Sequence, residues 1–229
     1  MLENLILIPY RNRQKHLDYF IKHTVPLIEK NMPETRVLVI EQKEGKLFNR
    51  GCVLNIGFKE YKKKTKYFIT HDVDINPTES CLKNYYSPGI KDKIRGILVS
   101  PCVTLSPIVK IPHESIFKMN GFPNDIWGWG IEDKALENRR DYFKIEKEII
   151  FINNNKERDD EHFKIFNDIK DRQTINHNFN KKKYNNLFWR STSEEQKENI
   201  FNSGLNNLKY QVIKRESLHK IVDLIKVEI

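Results

Sequence analysis

The chain predicts an α/β fold, and three observations carry that expectation. Leu5-Ile6-Leu7-Ile8 is a short apolar run ended by Pro9, as a buried strand would be. Leu17, Phe20, Ile21, Val25 and Ile28 then form one apolar stripe at helical spacing. The same strand-then-helix order recurs further along. A first strand is therefore expected near 4–9 and a helix near 15–30. Arg36–Glu41 reads as a second strand, 50–62 as a helix carrying Val53, Leu54, Phe58 and Tyr61, 66–71 as a third strand and 96–100 as a fourth. The pattern weakens after Ile152. Residues 153–202 are crowded with Asn, Lys, Asp and Glu and read as loops and exposed helix. With 229 residues, no Pro/Gly/Ser-rich linker and no internal repeat, a single domain over 1–229 is expected.

The chemistry-bearing residues cluster where these elements end. Tyr10-Arg11-Asn12-Arg13 leaves the first strand with an aromatic ring, suited to stacking on a base, and two guanidiniums shaped to fork onto phosphate oxygens. In Phe48-Asn49-Arg50-Gly51, Asn49 is placed to cap the helix that follows, so Arg50 lies beside a helix N-terminus that favours anions. His71-Asp72-Val73-Asp74 follows the apolar Tyr67-Phe68-Ile69-Thr70. At extended spacing Asp72 and Asp74 project to the same side, and paired hard oxygens suit Mn2+ or Mg2+ gripping a diphosphate. In open α/β sheets ligands sit at the carboxyl ends of strands. Residues 120–133, NGFPNDIWGWGIED, put Trp127, Trp129 and the acidic pair Glu132-Asp133 among glycines. Such a loop can lay indole faces and carboxylates against a sugar; the alternative is a core Trp pair beside a turn.

Together, Ile8-Pro9-Tyr10-Arg11-Asn12-Arg13 with His16-Leu17, Phe48-Asn49-Arg50-Gly51 running to Asn55-Ile56-Gly57-Phe58, Asp72-Val73-Asp74, and Asn120-Gly121-Phe122-Pro123-Asn124 leading to Trp127-Gly128-Trp129-Gly130 resemble the β-1,4-galactosyltransferase family in order and spacing. Gly204 to Val212 resembles the closing strand segment of those enzymes. The resemblance implies a GT-A (nucleotide-diphospho-sugar transferase) fold, a twisted, mostly parallel sheet flanked by helices. It implies an inverting, metal-dependent transfer of galactose or N-acetylgalactosamine from a UDP-sugar to a carbohydrate acceptor. Residue by residue it implies that Pro9, Tyr10, Arg11 and Arg13, with Phe48 and Arg50, hold uridine and diphosphate. It implies that Asp72 touches the donor and that Asp74 and His177 bind Mn2+ or Mg2+. By the same resemblance Asp133 is the general base, Glu132 orients its neighbours and Trp129 packs on the sugars. The region corresponding to 153–202 is a long mobile loop in those enzymes.

Three departures bear on substrate. Where the family usually reads Gly-Gly-Glu-Asp-Asp, this chain has Gly130-Ile131-Glu132-Asp133-Lys134, losing a flexible position and a second acceptor-binding carboxylate. Ser106-Pro107-Ile108 stands at the family's Gly-Gly-Val segment. Thr104 stands where an aromatic often favours galactose. The alternatives are a turnover-deficient, lectin-like protein on the same fold and a chondroitin-type N-acetylgalactosaminyltransferase.

Lys and Arg number 40 against 31 acids, a net charge of +9. Much of the excess is in Lys62-Lys63-Lys64 with Lys66, and in Lys181-Lys182-Lys183, without the interleaved aromatics of a nucleic-acid motif, so no nucleic-acid partner is expected. Cys52, Cys81 and Cys102 lack metal-ligand spacing and read as reduced thiols. With no apolar run of membrane-spanning length, no transmembrane segment is expected. Animal members of the family usually carry an N-terminal anchor and stem. The expectation is thus a cytoplasmic enzyme of a bacterium or virus, with the Golgi lumen its setting only if the chain is a piece of a longer one.

Overall fold

The computed structural model describes residues 1–98, 104–152, 163–165, 179–182 and 193–229. Its strands are β1 (Leu2–Tyr10), β2 (Thr35–Gln42), β3 (Thr65–Thr70), β4 (Ile75–Pro77), β5 (Lys93–Leu98), β6 (Ile108–Pro112), β7 (Glu146–Phe151), β8 (Phe163–Ile165), β9 (Gln211–His219) and β10 (Val222–Glu228). The helices used below are α1 (Gln14–Tyr19), α2 (Val25–Asn31), α3 (Arg50–Glu60), α4 (Glu79–Cys81), α5 (His113–Lys118), α6 (Glu132–Tyr142) and α7 (Ser193–Asn202). Eight strands form one sheet in the order β7-β5-β6-β3-β1-β2-β10-β9, and β4 pairs with β8 apart from it. Pairing directions make six of the eight run the same way, with β6 and β9 reversed. This is the GT-A-like architecture: a mostly parallel sheet between helices.

β1 explains the layering. Leu5 and Leu7 point to one face, where they join Leu38, Ile40, Val53, Leu54, Phe58 and Phe68. Ile6 and Ile8 point to the other, with Leu17, Phe20, Val25 and Ile28. Being covered on both faces is what makes the run continuously apolar. α3 lies so close that a Cβ on Gly57 would stand 2.7 Å from a Leu7 methyl and 2.8 Å from Ile40. The expected helix near 15–30 is one path with a π-helical turn, Phe20–Thr24, between α1 and α2. The expected fourth strand is Lys93–Leu98, while 99–103 lie outside the described residues. Gly204 to Tyr210 is turn and coil, and the closing strand begins at Gln211.

Candidate active site

Register brings the tips together. Leu7 stands opposite Thr70 on β3 and Tyr10 opposite Glu41 on β2, so the exits of β1, β2 and β3 lie side by side at one sheet end. A cavity of about 810 Å³ opens there, lined by Pro9, Arg11, Asn12, Arg13, Phe48, Arg50, Asp72, Val73, Asp74, Ser106, Gly128, Trp129, Gly130, Glu132 and Asp133. It collects Pro9, Arg11, Arg13, Phe48, Arg50, Asp72, Asp74, Trp129, Glu132 and Asp133 from segments up to 124 residues apart, the span from Pro9 to Asp133.

Two expected residues are not among these. Tyr10 follows the parity of Ile6 and Ile8, so its ring turns into the α1/α2 side of the core. It is 5% exposed, its hydroxyl donates to Gln14 Oε1 at 3.3 Å, and it is not among the residues lining the cavity. His177 lies outside the described residues, as does Cys102. Among the described residues no three His, Cys, Asp or Glu side chains cluster as a metal site. Trp129 is 43% exposed on the cavity rim and Trp127 is half-buried, so the core-pair alternative does not describe Trp129.

Arg50 ties the two sides of the cavity. Asn49 caps α3 by accepting from the Cys52 N–H at 2.9 Å, which leaves Arg50 in the first turn aimed outward. Its Nε and Nη2 donate to Asp72 Oδ1 at 3.0 and 2.9 Å, and its Nη1 donates to Asp133 Oδ1 at 2.9 Å. Glu132 Oε1 stands 3.9 Å from Nη1. A planar fork bridges two carboxylates in a fixed geometry that a compact, rotatable ammonium does not impose. Burial opposes the guanidinium charge, but Asp72, Asp133 and Glu132 outweigh it and hold Arg50 well above its ordinary range.

The carboxylates are unequal. Burial, reinforced by Asp133, pushes Glu132 up to about 7, and its Oε2 is buried without a hydrogen bond. Burial and then the neighbouring Asp72 also push Asp74 up, against Arg13 and His16, which lower it. A hard cation bound at this strand tip would favour the ionised Asp74 against the burial and the Asp72 charge that oppose it. Behind them His71, 1% exposed between Phe20 and Tyr86, is held neutral by burial at about 4.

Sequence reasoning missed what positions these groups. The loop from Lys43 to Phe48 stitches the cavity walls: Arg11 donates to the Lys46 carbonyl at 2.7 Å, Asn12 to Glu44 at 2.7 Å, and the Gly128 N–H to the Phe48 carbonyl at 2.8 Å. Asn55 Nδ2 donates to the Phe122 carbonyl at 2.7 Å and to Asn124 Oδ1 at 2.8 Å, while its own Oδ1 accepts from the Phe122 N–H at 2.8 Å. Asn124 donates to the Gly204 carbonyl at 2.7 Å and Asn207 at 3.0 Å; Asn120 donates to Asn206 at 2.9 Å. Arg139 of α6, fully buried, donates to the Asn120 and Gly121 carbonyls, both at 2.9 Å. The asparagines in the motifs were the available signal: five of them form one amide seam joining α3, the 120–124 loop and the turn at 204–207.

Residues 2–88 match the family model described as the N-terminal region of glycosyl transferase group 7, and residues 104–164 match one described as the N-terminal domain of galactosyltransferase. The chain is 36% identical over 141 residues to human β-1,4-galactosyltransferase 4, covering 58% of this chain and 41% of that one. It is 37% identical over 146 residues to human β-1,4-galactosyltransferase 6, covering 60% and 38%. It thus spans about two-fifths of the length of these relatives. The catalytic domain of Drosophila β-1,4-galactosyltransferase 7 with xylobiose superposes with a TM-score of 0.77 at 22% identity, covering 100% of this chain and 94% of that one. A variant of that enzyme with manganese, UDP-Gal and xylobiose superposes at 0.78 and 21% identity, which shows the fold.

These relatives correct one expectation. The enzyme was expected to be cytoplasmic and bacterial or viral, yet its likeness is to animal galactosyltransferases. A chain spanning two-fifths of its relatives says nothing through its first residue about what precedes it. Among the described residues no helix is long and apolar enough to cross a membrane. With both family models in register along one sheet and its cavity, the chain belongs to glycosyl transferase group 7, the family of the β-1,4-galactosyltransferases.

Proposed function

We propose that the protein is an inverting, metal-dependent glycosyltransferase that moves a hexose, galactose or N-acetylgalactosamine, from a UDP-sugar to a hydroxyl of a glycan acceptor. The observation that carries this reading is the Arg50 bridge. One guanidinium joins Asp72, at the strand tip, to Asp133, at the start of α6, across a single cavity. A donor between them would face the acceptor-side base.

In this reading Pro9, Arg11, Arg13 and Phe48 bind uridine and diphosphate, Arg50 and Asp72 contact the donor, and Trp129 offers its exposed face to the sugars. Asp74 would hold Mn2+ or Mg2+, with His177 its proposed second ligand. A bound cation would spread the charge that develops on the leaving diphosphate. Asp133 takes the proton from the acceptor hydroxyl as its oxygen bonds to the anomeric carbon, while the bond from that carbon to the diphosphate oxygen breaks on the opposite side. General bases contribute roughly 10²- to 10⁴-fold. Glu132, pushed up to about 7 by burial, is partly protonated near neutrality and in that form can donate a hydrogen bond to a donor hydroxyl. Thr104, at the position where an aromatic often favours galactose, is smaller than that aromatic, which keeps N-acetylgalactosamine beside galactose as donor.

The test is transfer from UDP-galactose and UDP-N-acetylgalactosamine with Mn2+, compared with Asp133→Asn. Turnover that needs the cation and falls at least 10²-fold in the variant supports the reading. Sugar binding without turnover, indifferent to the cation, would replace it with the lectin-like alternative.

A further inference from the structure

The residue before the acidic pair has an unusual backbone. Ile131 sits at φ 82 and ψ −23, in the left-handed region, as the N-cap of α6, and no side-chain hydrogen bond caps that end. A β-branched residue is a steric outlier there, because its Cβ crowds the backbone. Such outliers persist only where the surroundings over-determine them, and they concentrate at functional sites. Here the surroundings are a small apolar cluster: Ile126 and Ala135 are buried together, and the partly buried Ile131 packs against them. The Ala135 N–H donates to the Ile131 carbonyl at 2.8 Å, which locks the residue into the first turn of the helix. Glu132 and Asp133 follow at once as the first residues of α6, so the backbone direction at which they enter the helix depends on this pair of angles, while Arg50 holds the Asp133 carboxylate from the other side.

We propose that Ile131 is the positioning residue of the carboxylate pair: by packing on Ile126 and Ala135 it holds the left-handed turn that aims Glu132 and Asp133 into the cavity. Its catalytic consequence rests on the transferase reading above; its structural content does not. A glycine would adopt the turn without strain but without an anchor, since it has no side chain to seat in the cluster. The isoleucine exchanges backbone ease for a fixed direction.

The experiment compares Ile131→Gly, Ile131→Ala and Ile131→Val. Alanine keeps the strained Cβ and loses the packing, so Ile131→Ala should melt below Ile131→Gly, the reverse of the order expected inside a helix. Amide exchange at 132–135 should accelerate in both. Affinity for UDP with Mn2+ by calorimetry should stay within about twofold, whereas kcat should fall by roughly 10²-fold, the cost of a misplaced reacting group. Ile131→Val, which can still reach the cluster, should recover most of kcat. Wild-type exchange and wild-type kcat in Ile131→Gly would overturn the proposal, as would a melting order with alanine above glycine. If the wild-type protein transfers no hexose, the transferase reading fails, and exchange and melting order alone decide this one.

Discussion

Replacing Arg50 with lysine tests the site most directly, because it keeps the charge and removes the fork. Arg50 makes three N–H bonds to Asp72 and Asp133 at 2.9–3.0 Å. A lysine ammonium is a point charge on a flexible stem and can keep contact with one of the two carboxylates. Losing two charge-assisted bonds at about 1.5–3 kcal/mol each would cost about 3–6 kcal/mol in a dry interior. The partners are not dry: the Asp72 side chain is 36% exposed and that of Asp133 24%. Water replaces part of what is lost, which brings the expected cost to about 1–3 kcal/mol. That corresponds to roughly a 5- to 150-fold fall in kcat/KM for the UDP-hexose. Initial-rate kinetics with Mn2+ gives the first number, and urea unfolding of the ligand-free protein gives the second. An Arg50→Lys/Asp133→Asn double mutant then apportions the bridge, since residues in contact should be non-additive. If Arg50→Lys stays within twofold of wild type in kcat/KM and unfolds at the same urea concentration, the bridge is not what joins the two sides.

Three further outcomes are expected. An acid whose pKa is raised on folding gives stability that is complete below the usual carboxylate range and lost as pH rises through the folded value, here about 7. The wild-type Tm should therefore drop between pH 5 and pH 8 more than that of Glu132→Gln. Equal drops would show that Glu132 is not buried as an acid. Asp74→Asn should weaken UDP binding in the presence of Mn2+ by roughly 10- to 100-fold or more, since losing even an outer-shell partner of a metal costs that much. It should not lower the ligand-free Tm, because burial and Asp72 already disfavour the ionised carboxyl; a markedly lower Tm would argue for a structural role instead. Gly121→Ala puts a Cβ 2.2 Å from Asn55 Oδ1 at a φ of 66, and should cost about 2–4 kcal/mol in urea unfolding. A cost below about 1 kcal/mol would mean that the amide seam yields easily.

What could be read from the sequence was what rides on periodicity and local chemistry. The buried run of β1, the stripe of α1 and α2 and the Asn49 cap follow from spacing alone. Asp72 and Asp74 line one cavity, but through a turn at Val73-Asp74, with Val73 beside them, rather than by the alternation of an extended strand. Tyr10 was grouped with the cavity residues because its motif neighbours invited a shared role. Strand alternation separates it from Pro9 and Arg11, and its ring has the apolar area to be drawn into the core. β6 was not anticipated, since Ile108–Pro112 carries a fully buried lysine, Lys110, whose ammonium is met by the Tyr86 and Pro88 carbonyls at 2.7 and 3.1 Å. A charge in the middle of a five-residue strand hides it from any hydropathy pattern. The joining of Asp72 to Asp133 through Arg50 is a tertiary fact with no local trace, and neither residue's spacing predicts it.

The asparagine seam has a consequence for how the protein responds to its medium. Carboxamides neither titrate nor carry net charge, so the contacts among Asn55, Asn120, Asn124, Asn206 and Asn207 hold equally in dilute buffer or brine, and from mild acid to mild base. The frame under the tryptophan loop is thereby insulated from conditions to which the carboxylates above it respond. A change of activity with pH or ionic strength will therefore report on those acids and on nucleotide capture, rather than on the architecture that carries them.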